Sequence, residues 1–218
     1  NCYQIVKNLI MSKIPVYFMP GLAASSSIFE KIDLPKYIFE IYTLDWILPL
    51  QNETLKSYAE RMSQKVIHKE AVLIGVSFGG ILVQEMAQFL NPKKVIIISS
   101  VKSNAELPLK MKFAKMTKAY KLLPTSLLSD MDFLEKFLLG AIPKQRIEYY
   151  KKYLTITDKK YLDWAIEQVV AWNRLIPDDK VIHIHGDHDT VFPSQKIQNF
   201  INVKNGTHVM ILNRSKWF

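Results

Sequence analysis

The chain has 218 residues, of which 49% are hydrophobic and 22% charged, so it can bury its own core, and its composition argues against wholesale disorder. No apolar run approaches the roughly 18 residues that a membrane-spanning helix needs, and no nucleic-acid-binding motif is present. The net charge of +9 comes from lysines spread along helical segments, which indicates a solvated basic face and no nucleic-acid partner.

The first residues carry no targeting signal that we recognise. Lys7 and Lys13 interrupt the segment, and neither a long apolar stretch nor a small-residue cleavage site follows, so no signal peptide is predicted. Met11 resembles a natural start, and we give residues 1–10 no functional weight. Cys2 is the single cysteine, which excludes an internal disulfide and fits a reducing compartment. A cytoplasmic location is therefore predicted.

Short apolar runs alternate with helically spaced segments along most of the chain. Runs rich in β-branched and aromatic residues predict strands over 14–19, 37–44, 71–74, 95–98, 181–184 and 200–203. Apolar residues at three- and four-residue spacing predict helices over 55–66 and 81–90, and another helix is predicted to begin at Ser194. This alternation predicts the α/β class, with a mostly parallel sheet covered by helices on both faces.

Residues 101–178 interrupt that alternation, because they contain no convincing strand. One apolar helical face is formed by Leu109, Phe113, Met116, Tyr120 and Leu123, and a second spans residues 161–172. The pattern predicts a helical cap inserted into a core made of residues 1–100 and 179–218. The alternative is a set of extra helices that pack on the core and take no part in the site.

A G-x-S-x-G pentapeptide joins a predicted buried strand to a predicted helix at residues 75–79. A sharp turn there places Ser77 in a strained conformation, while Gly75 and Gly79 let strand and helix approach closely. The hydroxyl is then presented near the positive end of the helix, as a nucleophile requires. We therefore predict Ser77 as nucleophile, the alternative being a plain turn with a serine cap.

A serine nucleophile needs a base and an acid that orients the base. His208 follows the last predicted strand in the turn that contains Gly206, and none of the other four histidines has this setting. His183 and His185 alternate along a strand and are predicted to be packing residues. The acid is expected at the end of that strand, where Asp187 and Asp189 are both candidates.

Acyl transfer also needs two N–H donors for the oxyanion. We predict Phe78, which follows the nucleophile, and Leu22, in the Pro20-Gly21-Leu22 loop after the first strand. The distribution of glycine supports these assignments, because six of the seven glycines lie in the four loops that the mechanism uses. They are Gly21, Gly75, Gly79, Gly80, Gly186 and Gly206.

The order of these motifs resembles the α/β-hydrolase superfamily, in particular its serine esterases and lipases, over residues 14–100 and 179–212. Members often carry Gly-x-x-Asp-x-x-x-Pro at the acid loop, and residues 186–193 fit that pattern, so the resemblance assigns the acid to Asp189. Two features depart from the family. Pro20-Gly21 stands where His-Gly is common, and the family's first two strands are missing or shortened.

The resemblance implies cleavage of a carboxylic ester, or a related acyl bond, of a small apolar substrate through an acyl-enzyme. It implies no cofactor and no metal. An acyltransferase and a non-catalytic ligand receptor on the same fold are the alternatives. The basic segment with Lys112, Lys115, Lys118 and Lys121 suggests weak binding to anionic surfaces as a further expectation.

One pattern favours different chemistry. Residues 183–188 read H-x-H-x-D-H through His183, His185, Asp187 and His188, which resembles the ligand pattern of metallo-β-lactamases. Such a site would hold a metal pair that activates water. That family carries the pattern early in the chain with further ligands downstream, whereas here His208 is the one later histidine. A metal-dependent hydrolase is therefore a remote alternative.

Overall fold

A computed structural model describes residues 13–117 and 144–218, without the side chains of residues 144–147. Six strands occur in this part of the chain, close to the predicted positions. They are β1 (Ile14–Met19), β2 (Phe39–Thr43), β3 (Val72–Val76), β4 (Lys94–Ile98), β5 (Ile182–Gly186) and β6 (Ile201–Val203). Residues 1–10, including Cys2, lie outside the described residues.

The six strands form one sheet in the order β2-β1-β3-β4-β5-β6, and every neighbouring pair is parallel. β3 is buried along its whole length, which explains its unbroken apolar sequence. The chain moves to one side of β1 for β2 and to the other side for β3. Such a reversal opens a crevice at the carboxyl ends of β1 and β3, where open α/β sheets bind ligands.

The described residues also contain six α-helices. They are α1 (Leu55–Ser63), α2 (Phe78–Met86), α3 (Leu109–Thr117), α4 (Lys144–Lys151), α5 (Lys159–Ala171) and α6 (Met210–Asn213). The helix after the pentapeptide begins at Phe78, three residues before the predicted start. The helix expected from Ser194 is only a 3-10 turn, Ser194–Lys196, because Ile197 adopts an extended backbone.

Helices cover both faces of the sheet. A Cβ atom on Gly75 would point into the start of α2, so α2 lies on that face of β3. The neighbouring Ile74 points to the opposite face, where Ile211 of α6 and the C-terminal Phe218 pack over the strands. The two flanking layers make the sheet the centre of a three-layer α/β fold.

Between β4 and β5 the described residues form helices and connecting segments without a strand. The apolar side of α5 is buried, whereas α3 contributes only the partly buried Met111 and Ala114 to the core. The predicted apolar face of α3 is exposed at Leu109, Phe113 and Met116. Its continuation, with Tyr120, Leu123, Lys118 and Lys121, lies outside the described residues. None of the described helices is long and apolar enough to span a membrane.

Candidate active site

The turn from β3 into α2 holds Ser77 at φ 52° and ψ −119°, a conformation that few non-glycine residues adopt. Glycines on both sides make the turn possible. A Cβ atom on Gly75 would lie 2.3 Å from the Gly79 carbonyl oxygen, and one on Gly79 would lie 2.3 Å from the Pro20 carbonyl oxygen. The Ser100 hydroxyl donates to the Ser77 carbonyl oxygen at 2.7 Å, which ties the turn to the end of β4. The strained backbone and its supports present the Ser77 side chain at the crevice.

Ser77, His208 and Asp189 form one hydrogen-bonded chain. The His208 Nε2 atom lies 2.9 Å from Ser77 Oγ, and His208 Nδ1 lies 2.8 Å from Asp189 Oδ2. Because a carboxylate only accepts, Nδ1 carries the proton and Nε2 is free to accept from the serine hydroxyl. Asp189 and His208 are 4% and 5% exposed, so water competes little for these bonds. The arrangement can move a proton from Ser77 to His208.

The acid loop explains why Asp189, and not Asp187, faces the histidine. Asp189 Oδ1 accepts the N–H groups of Val191 and Phe192, both at 2.9 Å, which leaves Oδ2 for His208. Asp187 Oδ1 instead lies 3.9 Å from His188 Nδ1. The acid loop also lies so close to the loop that carries His208 that a side chain on Gly186 would not fit. A Cβ atom there would lie 2.1 Å from the Gly206 carbonyl oxygen. This close approach brings the acid loop against the loop that carries His208.

The H-x-H-x-D-H residues do not converge on one point. His183 and His185 are buried, with His183 Nε2 lying 3.1 Å from His185 Nδ1, while the His188 side chain is 63% exposed. His185 Nε2 donates to the Phe192 carbonyl oxygen at 2.8 Å, so His185 Nδ1 accepts from His183. Among the residues that the structure describes, no group of three or more His, Cys, Asp or Glu side chains could hold a metal ion. His185 thus holds the acid loop through the Phe192 carbonyl, and His183 in turn holds His185.

Burial of His183 makes a pH-dependent stability prediction. Burial, with the charges of His185 and Lys102, lowers its pKa to about 2. Below about pH 6.5 the unfolded chain therefore gains a proton on His183 that the folded protein does not take up, so the free energy of unfolding should fall as pH drops. His183→Gln should remove up to about 1.4 kcal/mol per pH unit from that slope. Urea unfolding at pH 7 and pH 5 measures it.

The exposed His188 provides the matched control for this prediction. His188→Gln makes the same substitution at a side chain that is 63% exposed, so it controls for the change from histidine to glutamine itself. Equal slopes in the wild type and in His183→Gln would contradict the assignment of His183 as a neutral buried histidine.

The two expected oxyanion donors lie on either side of the nucleophile. Leu22 follows Gly21, whose Cβ position is 3.4 Å from the Ser77 Cβ atom, and Phe78 follows Ser77 directly. Within residues 13–117 and 144–218, neither the Leu22 N–H nor the Phe78 N–H donates to a protein acceptor. Both groups are therefore available to a ligand oxygen at the crevice.

A cavity of about 50 Å³ opens beside Ser77 and His208. Its apolar walls include Leu22, Ile28, Tyr150, Tyr153, Leu154 and Leu212. A larger groove of about 460 Å³ lies between α1, α2 and the end of α5, and it is not lined by Ser77, His208 or Asp189. The small cavity is therefore the one in position to receive a group attached to Ser77.

Sequence reasoning missed several residues that support this site. Ser100 follows β4, where the sequence analysis named no candidate residue, and Phe192 contributes an N–H group to Asp189 and a ring 5.5 Å from that of His208. The one sequence signal that could have identified Ser100 and Phe192 is that each lies in the segment after a strand. Trp46, which contacts the loop of Gly21, had no sequence signal at all.

Solved structures similar to this chain share its architecture at low identity. An α/β-hydrolase fold protein from Burkholderia ambifaria is 14% identical with a TM-score of 0.62, covering 95% of this chain and 89% of its own. A thermophilic esterase from Thermogutta terrifontis is 12% identical with a TM-score of 0.68, covering 95% and 87%. A bromoperoxidase from Bacillus anthracis is 15% identical with a TM-score of 0.64, covering 94% and 89%.

No protein-family model and no curated protein sequence matches the chain. The structural likeness extends over nearly the whole chain and includes proteins named for different reactions, so it establishes the architecture and leaves the reaction to the site residues. The parallel sheet, the order of its loops and these structural matches all indicate the same fold. The chain has the α/β-hydrolase fold.

Proposed function

We propose that this protein is a serine hydrolase that cleaves a carboxylic ester, or a related acyl bond, of a small apolar substrate. The observation that carries the proposal is the hydrogen-bonded chain from Ser77 Oγ through His208 to Asp189, with separations of 2.9 and 2.8 Å. A serine hydroxyl becomes a useful nucleophile only with such a base, and the base needs such a partner. The strained backbone at Ser77 adds support, since strain of this kind concentrates at functional sites.

In the proposed mechanism, Ser77 Oγ attacks the acyl carbonyl carbon while His208 Nε2 takes the hydroxyl proton. The N–H groups of Leu22 and Phe78 donate to the oxygen that becomes negatively charged. His208 then gives its proton to the leaving alcohol, and an acyl group remains on Ser77. His208 Nε2 then takes a proton from a water molecule, whose oxygen attacks the acyl carbon. The ester bond to Ser77 breaks, His208 returns the proton to Ser77 Oγ, and the carboxylic acid leaves.

Asp189 has two tasks in this mechanism. It holds His208 in the tautomer that leaves Nε2 free, and its charge stabilises the imidazolium that forms during each proton transfer. The carboxylate is itself held by the Val191 and Phe192 N–H groups. Apart from the substrate and water, the proposed steps use only side chains and N–H groups of this chain, so the mechanism calls for no cofactor.

We further propose that residues 101–178 act as a cap over the site. Tyr150, Tyr153 and Leu154 from this segment form one wall of the cavity at Ser77. Two backbone hydrogen bonds of 3.0 Å join the segment to the loop after β1, from the Ser25 N–H to the Tyr153 carbonyl oxygen and from the Ile156 N–H to that of Ala23. The segment therefore bounds the space that an acyl group would enter.

The cavity predicts a short acyl group. The cavity at Ser77 is small and its lining is apolar, so we expect it to accept a short acyl chain better than a long one. Among nitrophenyl acetate, butyrate and octanoate, we expect kcat/KM to be about 10-fold or more lower for the octanoate. Nitrophenol release measures all three, and Leu154→Ala, which enlarges the cavity, should move the preference toward longer chains.

Two outcomes would contradict the proposal. The absence of turnover on every ester, together with no labelling of Ser77 by a fluorophosphonate, would favour a ligand receptor. Product that partitions mainly to an added alcohol rather than to water would favour an acyltransferase. Equal rates across the three chain lengths would contradict the short acyl group and leave the serine mechanism intact.

A further inference from the structure

Trp46 lies beyond the end of β2 and contacts both elements that carry the expected oxyanion donors. Its indole Nε1 donates to the Gly21 carbonyl oxygen at 2.9 Å. Its ring stacks on the Phe78 ring, with centroids 5.0 Å apart and planes inclined by 9°. The side chain is buried, so both contacts are shielded from water. One residue thus bridges the loop after β1 and the start of α2.

The hydrogen bond acts on the donor of Leu22 through the peptide unit. The Gly21 carbonyl and the Leu22 N–H belong to the same planar peptide group, so fixing the direction of the carbonyl also fixes that of the N–H. A carbonyl that accepts a hydrogen bond also polarises its peptide and strengthens the N–H as a donor. The indole therefore sets both the orientation and the strength of this donor.

The stacked rings act on the second donor. Phe78 is the first residue of α2, and its ring stacks directly on that of Trp46, whereas the Trp164 ring lies farther off, at a centroid distance of 5.9 Å and an inclination of 60°. The Phe78 side chain is almost fully buried, so the ring cannot shift without disturbing this cluster. Because the ring and the N–H group both belong to Phe78, the stacking contact also restrains the direction of the Phe78 N–H.

The bond between Trp46 and Gly21 is more than a means of satisfying a buried carbonyl. The Gly21 carbonyl oxygen already accepts the Ala24 N–H at 3.1 Å, so it keeps a partner without the indole. Ala23, within the same turn, has a positive φ of 63°, so the loop needs external contacts to hold its shape. The indole supplies such a contact at the peptide that carries the donor.

We propose that Trp46 is a positioning residue for the oxyanion site, which aligns the N–H groups of Leu22 and Phe78. The inference rests on the proposed serine hydrolase function, because it concerns the stabilisation of the acyl transition state. It predicts that removing the indole N–H lowers the rate of the chemical step and leaves substrate binding almost unchanged.

The substitution Trp46→Phe tests this, because it removes the N–H donor and keeps an aromatic ring beside Phe78. Trp164→Phe is the matched control: it lies in the same cluster, and its indole donates to the Glu53 carbonyl oxygen, not to the oxyanion loop. Loss of a whole oxyanion donor costs about 100- to 1,000-fold, so we expect about a 10-fold fall in kcat for Trp46→Phe. KM should stay within about twofold, and Trp164→Phe should keep kcat within about twofold.

A transition-state analogue separates positioning from a general loss of packing. A trifluoromethyl ketone with the substrate's acyl chain forms an oxyanion on reaction with Ser77, so its Ki should rise by the same factor as kcat/KM falls in Trp46→Phe. In Trp164→Phe neither quantity should change by more than about twofold. Equal effects in the two variants, or an unchanged kcat in Trp46→Phe, would overturn the inference.

NMR of the uninhibited protein tests the geometry without turnover. In Trp46→Phe the Gly21 carbonyl carbon should move upfield and the Leu22 amide should shift, whereas Trp164→Phe should leave both signals in place. Unchanged signals in Trp46→Phe would overturn the inference even in an active enzyme. A wild type that hydrolyses no ester, with Leu22 shifting as expected, would instead reject the proposed function and retain the alignment of Leu22 by Trp46.

Discussion

Ser77→Ala is expected to lower kcat by about 10⁶-fold, because the hydroxyl that forms the acyl-enzyme is lost while the fold is kept. In the part of the chain that the structure describes, His208 Nε2 has Ser77 Oγ as its partner, so the base faces this hydroxyl. The residual rate would reflect the donors of Leu22 and Phe78 acting on water attack. Nitrophenyl acetate turnover by wild type and variant, with equal folded fractions shown by thermal unfolding, measures the effect.

Ser99 provides a matched control for this prediction. It also has a positive φ, 47°, at the carboxyl end of the neighbouring strand β4, and its buried hydroxyl has no hydrogen-bond partner in the described part of the chain. Ser99→Ala should therefore keep kcat within about threefold of the wild type, since its hydroxyl takes no part in the proposed mechanism. Retained turnover in Ser77→Ala, or fluorophosphonate labelling at a residue other than Ser77, would contradict the assignment of the nucleophile.

Asp189→Asn is expected to lower kcat by about 10⁴-fold with little change in structure. An amide in place of the carboxylate can present N–H to His208 Nδ1, which favours the tautomer that protonates Nε2. That tautomer cannot accept the Ser77 proton, and the neutral amide does not stabilise an imidazolium. Single-turnover kinetics with nitrophenyl acetate measures the acylation step in isolation.

Asp187→Asn is the matched control for Asp189→Asn, because it replaces the other carboxylate of the same loop. Asp187 lies two residues earlier and contacts His188, not His208. Its variant should keep kcat within about twofold. A larger loss in Asp187→Asn than in Asp189→Asn would reverse the choice between the two aspartates.

The sequence narrows the acid to two residues, and the structure shows which of them faces His208. The strand that ends at Gly186 predicts that an acid follows it, and this reasoning admits both Asp187 and Asp189. The spacing to Pro193, read through a family resemblance, selects Asp189. The structure supplies the reason in contacts, because the N–H groups of Val191 and Phe192 hold one oxygen of Asp189 and turn the other toward His208.

The helical segment between β4 and β5 shows the opposite case. Periodicity predicts an apolar face on α3, and the helix forms, yet Leu109, Phe113 and Met116 remain exposed while Met111 and Ala114 face the core. A periodic pattern reports which residues share a side of a helix. It carries no information about what lies against that side, which depends on where the rest of the chain packs.

The sequence by itself determined the alternation of strands and helices, the turn at Ser77 and the loops that carry His208 and the candidate acids. These features are local, since strand and helix periods and the glycines at tight turns act over a few neighbouring residues. Only the tertiary structure showed which contacts Trp46, Ser100 and Phe192 make. Trp46 and Gly21 are 25 positions apart, and Ser100 and Ser77 are 23 apart, so no local pattern relates them. Their contacts arise because parallel strands bring their carboxyl ends to one edge of the sheet.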